Sequence, residues 1–308
     1  MTALNPPIPP SVRERRLTPE WMDDPGLDAG EHERALAGLS RINRLSATAF
    51  TLWPELRRLG EAAKRRGETV RVLDVACGGG DVPVALRRRA MRLNLPVRVD
   101  GCDLSGVALG RARSLSGRHE AGCDFFALDA VRNELPPGYD AVVSSLFLHH
   151  LTVDDVRTLL RKLAGSVRLV VISDLVRSGP AWAATWLGTR VLSRSPVVHC
   201  DGPRSVEAAF TTAEMRRLLD ATGLETARVE RVWPMRMRIT WRDAETTKTT
   251  MEHAPHAKPR RSGAKPGGSP ALDDTPSPAS LRSAAAFSLI SRPPRSTRGA
   301  PAARGAAA

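Results

Sequence analysis

The stretch Asp74-Val75-Ala76-Cys77-Gly78-Gly79-Gly80-Asp81-Val82-Pro83 follows Val70-Arg71-Val72-Leu73. A mostly apolar run, an acid, three consecutive glycines and a proline suited to a first helical turn read as a strand, a tight loop and a helix start. Glycine tolerates the positive φ of so sharp a turn, and without a Cβ it lets a ligand touch the backbone. The helix start adds free N–H groups and a positive dipole end. That is the chemistry of a nucleotide-binding corner.

The spacing separates the ligand families that use such corners. A dinucleotide fingerprint needs G-x-G-x-x-G/A. Counted from Gly78 its last place falls on Pro83, and counted from Ala76 it falls on Asp81. No Gly-Lys-Ser/Thr phosphate loop follows either. The pattern acid, x, small, x, Gly, x, Gly on Asp74, Ala76, Gly78 and Gly80 resembles the first motif of class I S-adenosylmethionine (SAM) methyltransferases. The resemblance implies that Asp74 faces the cationic amino group of the methionine moiety and that Ala76, Cys77, Gly78 and Gly80 line the cofactor. Ala76 stands where many relatives carry Gly. A glycine-rich strand end that is only a tight turn is the plain alternative.

A second acid, Asp103 in Gly101-Cys102-Asp103-Leu104-Ser105, lies 20 to 25 residues past the loop, where a carboxylate accepts hydrogen bonds from a ribose diol. Its competing role is that of a helix N-cap, which Ser105 would fill equally well. Leu104 follows at the cofactor edge. For Leu128-Asp129-Ala130 the family resemblance implies adenine recognition by Asp129 and the next backbone N–H, whereas turn chemistry alone also explains an Asp there. Further on, Ser144-Ser145-Leu146-Phe147-Leu148-His149-His150-Leu151 resembles the ubiquinone/menaquinone biosynthesis methyltransferase group. This implies that Ser144 or Ser145 lines the methionine end of SAM and that His149 and His150 lie near the transferred methyl. A histidine held by backbone groups beneath the sheet, beside an exposed neighbour, is the alternative for the pair.

These residues need elements to carry them. From Val70 strands and helices alternate, which predicts βαβ units and a parallel sheet with ligands outside the carboxyl ends of the strands. Strands are expected at 71–76, 97–102, 124–128, 139–147 and 168–173, and helices at 82–93, 105–115 and 153–163. A helix over 212–222, capped by Thr211 or Thr212 and closed by Gly223, precedes two strands about Pro234. The expected class is α/β: a Rossmann-like methyltransferase fold with a seven-stranded, mostly parallel sheet, a terminal antiparallel hairpin and an N-terminal helical lid. In the hairpin, Arg236 and Arg238 are expected on one face, away from Met235, Met237 and Ile239.

Residues 1–66 form the expected N-terminal extension and lid, with amphipathic helices at 28–40 and 47–64 and with Asn43 and Arg44 in the joint between them. The runs 17–25 and 41–46 resemble the lid of a subgroup of small-molecule methyltransferases. Residues 67–242 are the expected SAM domain, and 243–308 a disordered basic tail whose composition cannot bury enough apolar area to order itself. An inserted cap at 175–210 departs from the family. It holds one apolar helix candidate around Trp182 and Trp186, which wall an acceptor pocket or pack on the core. The loop read at 195–204 contains His199, Cys200, Asp201 and Arg204 without zinc spacing, and no metal site is expected.

The chain has 308 residues, 42% hydrophobic content and a formal charge of +13. Ten Lys or Arg against five acids from Asp243 onward give that segment +5, leaving +8 before it. Many of those earlier basics sit at helical spacing or alternate with acids, as solvated helix faces do, which makes nucleic acid an unlikely partner. Four cysteines without C-x-x-C spacing, no secretory signal and no membrane-length apolar run read as a reduced cytoplasmic protein. Neither the Asn/Asp-Pro-Pro-Tyr/Phe of amine and amide methyltransferases nor a Pro-Cys nucleophile is present. A small, aromatic or apolar acceptor methylated on oxygen or carbon is therefore expected. An NAD-dependent oxidoreductase, or a nucleic-acid-binding protein acting through its basic tail, are the alternatives. The oligomeric state is left open.

Overall fold

Val70, Val72, Leu73 and Val75 are all buried, because strand β1 (Val70–Val75) is covered on both faces, as a parallel strand between helical layers must be. The computed structural model describes residues 12–24, 26–45 and 48–242. The expected tail lies outside the described residues. Six further strands complete one sheet: β2 (Val97–Asp103), β3 (Phe125–Ala127), β4 (Ala141–Ser145), β5 (Leu169–Leu175), β6 (Arg228–Val232) and β7 (Arg236–Arg242). Their order is β3-β2-β1-β4-β5-β7-β6, parallel except that β7 runs antiparallel to both β5 and β6. The registers Val75↔Cys102, Val75↔Ser144 and Ser145↔Ser173 bring the carboxyl ends of β1, β2, β4 and β5 to one edge.

Helices α3 (Asp81–Arg92), α4 (Gly106–Arg118), α5 (Val153–Ser166) and α8 (Thr212–Asp220) follow the expected connections. On one sheet face, Leu73, Val75, Val170 and Ile172 pack with Leu159 and Leu163 of α5 and Met215 and Leu219 of α8. On the other, Val72, Val97, Val143 and Val171 pack with Leu86 of α3 and with Leu52 and Leu56 of α2 (Thr48–Arg66). The second N-terminal helix thus finds the partner for its apolar stripe on the sheet itself. Helix α1 (Ala29–Leu45) runs past the expected end at residue 40, so Asn43 belongs to its last turn and accepts a hydrogen bond from Thr48 Oγ1 at 3.3 Å. Helix α8 carries the capping box that its sequence announces: Thr211 Oγ1 accepts from the Glu214 N–H, and Glu214 accepts from the Thr211 N–H.

Two expectations are corrected. The segment 195–204 is not a loop but most of helix α7 (Pro196–Ala208), which follows α6 (Gly179–Leu192). Pro196 occupies the first helical turn, where it is favoured, and burial of Val197, Val198 and Val206 outweighs the interior Pro203. Gly202 is required by close helix packing, since a Cβ there would lie 2.5 Å from Thr189 Cγ2 of α6. The second correction is the joint, since Asn43 lies within α1 and not between the two N-terminal helices. Arg236, at the start of β7, is only 3% exposed, and β7 is flanked in the sheet by β5 and β6. Burial lowers the Arg236 guanidinium to about 10, with Asp174 acting the other way. No helix among the described residues is long and apolar enough to cross a membrane.

Candidate functional site

At the end of β1 the chain turns through Ala76 at φ 56°, Gly78 at φ 52° and Gly80 at φ 78°. Gly80 sits at the N-cap position of α3, and a Cβ on it would press on the Ala112 backbone of α4 at 2.9 Å. At Gly78 the position a Cβ would take has no atom within 4 Å, so the loop presents an open backbone surface. The Gly80 N–H donates to Cys77 O at 3.1 Å and the Cys77 N–H to Cys102 O at 3.0 Å, which closes the turn against β2. Burial pushes the Cys77 thiol well up, and likewise Cys102 to about 12, so neither is a thiolate nucleophile.

Asp74 is 0% exposed, and neither carboxylate oxygen has a hydrogen-bond partner among the described residues. Burial, then the neighbouring Asp103 charge, raises its carboxyl well above the ordinary range. A buried acid left without donors is the mark of a position completed by a cationic or donor group from outside the chain. Asp103 ends β2 with Oδ2 accepting from the Gly78 N–H at 2.8 Å and Oδ1 from the Ser105 N–H at 2.9 Å. The N-cap of α4 is Ser105, whose hydroxyl accepts from the Ala108 N–H, so Asp103 is not the cap. Its carboxylate joins loop to strand end and retains lone pairs for a diol. These features fit a cofactor with an ammonium and a ribose. Leu104 beside it is exposed.

The other predicted residues divide. Asp129 accepts from the Val131 and Arg132 N–H groups and from the Arg132 guanidinium. Burial would raise its carboxyl, but those bonds outweigh it and hold it low. Ala130 is buried next to it. Ser144 is buried, its hydroxyl donating to Val75 O at 2.9 Å, whereas Ser145 is partly exposed at the end of β4.

Beyond β4 a single 3-10 turn, Leu148–His150, carries the histidines. His149 is 3% exposed, with Nδ1 2.6 Å from Asp174 Oδ1 and its N–H donating to Asp174 Oδ2 at 3.2 Å. Asp174 is fully buried on β5; burial would raise it, yet His149 and the Leu175 N–H keep it below the ordinary value. The Asp174 carboxylate thus faces Nδ1 and leaves Nε2 turned to Glu20. That Nε2 lies 3.8 Å from Glu20 Oε1, and the His150 ring is 4.3 Å away between centroids at 33°.

Residues 12–24 cross over this turn as a strap. Arg15 donates to the carbonyls of His149, Leu151 and Ala208, and Arg177 to those of Val12 and Ala209. The Trp21 and Met22 N–H groups donate to the Asp201 carboxylate of α7. From α1, Ser40 Oγ donates to Asp81 at the start of α3, 2.6 Å away. Sequence reasoning missed Asp174, Glu20, Arg15 and Arg177. Asp174 did carry a signal, an acid at the carboxyl end of an apolar strand, whereas Glu20 lies in the lid-like run 17–25, which assigns no role to any single residue. A separate depression of about 340 Å³ between Thr69, Asn94 and Arg98 lies at the opposite, amino-terminal ends of β1 and β2 and holds none of these groups.

The comparisons with known proteins agree with this geometry. A methyltransferase-domain family profile matches residues 72–168, from β1 through α5 to the start of β5. An uncharacterised methyltransferase of Mycobacterium tuberculosis is 30% identical over 183 residues, 56% of this chain and 86% of that protein. A ubiquinone biosynthesis O-methyltransferase of Aeromonas salmonicida is 29% identical over 159 residues, 50% of this chain and 62% of the relative. Among solved structures, the SAM-dependent methyltransferase SibL superposes with a TM-score of 0.50 at 22% identity, over 75% of this chain and 64% of that one, a likeness of fold. The chain belongs to the class I SAM-dependent methyltransferases. It is an enzyme of that class, its cofactor is SAM, and the oxidoreductase alternative is set aside.

Proposed function

We propose that this methyltransferase acts on a small aromatic or apolar acceptor, at an oxygen or an acidic carbon, and that His149 takes the acceptor's proton. The observation that carries the reading is the buried His149–Asp174 pair at the carboxyl ends of β4 and β5, with Nε2 on the side of the strap. When bound, SAM supplies a methyl group already activated by its sulfonium. Asp74 would hold the ammonium, the 76–80 loop the backbone edge, Asp103 the ribose, Leu104, Asp129 and Ala130 the adenine surround, and Ser144 and Ser145 the methionine end.

With the methyl already activated, the chain's own task is to orient an acceptor, exclude water and move a proton. Asp174 fixes the His149 ring and tautomer, and stabilises the imidazolium that forms when Nε2 takes the proton. The strap and α1 act as the lid over the cleft, and α6 and α7 supply its apolar wall around Trp182 and Trp186. Four free cysteines suit a reducing compartment such as the cytoplasm.

The test is methyl transfer from labelled SAM to a panel of phenols, quinols and β-dicarbonyl compounds. His149→Ala should lower single-turnover transfer by about 100-fold to 10,000-fold, the usual contribution of a placed base, with SAM affinity unchanged. Transfer to nucleic acid or protein alone, or unaltered rates in this variant, would overturn the reading.

A further inference from the structure

Glu20, His149 and His150 each offer one ligand atom, and these atoms all lie within 4.8 Å of one another. We propose that they form a binding site for a borderline divalent transition-metal ion of the zinc type.

The separations lie a little outside those that a bound metal imposes. Two ligands at about 2.1 Å from a tetrahedral zinc stand about 3.4 Å apart, and His149 Nε2 is 3.8 Å from Glu20 Oε1. Side-chain torsions alone close such a gap. The donor set of two imidazoles and one carboxylate is typical of zinc sites that keep a fourth position open.

The surroundings of the ligands strengthen the case. Metal-bound histidines usually donate their other ring N–H to a carboxylate, which fixes the tautomer and raises ligand basicity. His149 does so to Asp174 at 2.6 Å, both groups being buried. The Glu20 carboxylate is itself held, accepting from Ser205 Oγ of α7 at 2.5 Å. The His149 and Leu151 carbonyls are pinned by Arg15, so the turn bearing both histidines is fixed from behind.

One-dimensional spacing could not show this group. Glu20 belongs to the strap and the histidines to the turn after β4, and the fold alone joins them. An ion on Nε2 and a proton on Nε2 exclude each other. An ion held there would therefore block the proton transfer proposed for His149, so the stripped enzyme is the form in which that transfer operates. That consequence rests on the acceptor reading above, but the ion binding does not.

The experiment uses the tag-free full chain stripped with a chelator, titrated with Zn²⁺ by calorimetry and with Co²⁺ by visible absorption, without substrate. One ion per chain is expected, with a tetrahedral cobalt spectrum. Glu20→Gln and His150→Ala should each weaken binding by at least about 100-fold, and Asp174→Asn by about 10-fold to 100-fold as an outer-shell change. Far-UV dichroism and thermal melts on the metal-free variants keep loss of fold apart from loss of a ligand. Absence of stoichiometric binding by the folded wild-type chain, or equal affinity in folded Glu20→Gln and His150→Ala, would overturn the proposal. Methyl transfer by the stripped enzyme then tests the acceptor reading on its own, so the two can fail separately.

Discussion

Replacing Asp74 with Asn should stabilise the cofactor-free enzyme while weakening its hold on SAM. The carboxyl is fully buried, has no hydrogen-bond partner among the described residues and is raised by burial and then by Asp103. A raised folded-state pKa means that the native chain holds its proton longer than the unfolded chain does. Stability is therefore complete below the unfolded value, about 3.9, and declines as pH rises until the folded value is passed. The decline from this one group is at most about 1.4 kcal/mol per pH unit. Asn has the same shape and no charge, so the slope disappears in the variant. The difference in unfolding free energy, variant minus wild type, should start at its lowest near pH 4 and grow through about 2 kcal/mol by pH 6 if the folded pKa lies above that. Cofactor binding moves oppositely: losing one charge-assisted bond, about 1.5–3 kcal/mol, raises the SAM dissociation constant roughly 10-fold to 150-fold. Urea unfolding across this pH range with and without SAM measures both. A stability difference that does not vary with pH, or unchanged SAM affinity, would refute the assignment of Asp74 as a buried acid completed by the cofactor.

Other outcomes follow from single sites. Asp103→Ala removes the acceptor from the Gly78 and Ser105 N–H groups and the proposed ribose contact, and should cost SAM affinity at least about 10-fold by calorimetry, from bonds worth about 1.5–3 kcal/mol each. Ala76→Gly relieves a left-handed residue that costs about 1–2 kcal/mol against a glycine entropy penalty of about 0.5–1 kcal/mol; chemical denaturation should show a gain of up to about 1 kcal/mol, and a clear loss would contradict the strain. Gly202→Ala drives a Cβ towards Thr189 Cγ2 and should cost about 1–3 kcal/mol, with part recovered by adding Thr189→Ser, which removes that methyl.

How far the sequence reached depends on whether a feature is written locally. The strands β1, β2, β4 and β5 were legible because a strand buried on both faces must be a nearly unbroken apolar run. The positions of the glycine loop and Asp103 at the ends of β1 and β2 were legible because they close apolar strands, and Ser105 against Asp103 as cap was decided only by coordinates. The helix at Pro196–Ala208 was misread because Gly202 and Pro203 signal a break locally, while the packing that overrides them comes from α1 and α6. For Arg236, period-two alternation tells the faces of β7 apart but not how deeply either face is covered. The polar cluster about His149 was half legible. The histidines stand in a motif, whereas Asp174 and Glu20 reach them from other elements.

The strap also sets when the enzyme becomes competent. Its anchors include Asp201, Ser205, Glu207, Ala208 and Arg177, while Arg177 is in turn paired with Glu214 at 2.5 Å. Residues 12–24 leave the ribosome about 190 residues before the last of these partners, which at roughly 5–20 residues per second is about 10–40 s. Through that interval the β1 loop can form while the His149 end stays uncovered. An arrest of synthesis ahead of α7 would leave the strap without Asp201, Ser205 and Ala208, and so with nothing to hold it over the His149 turn.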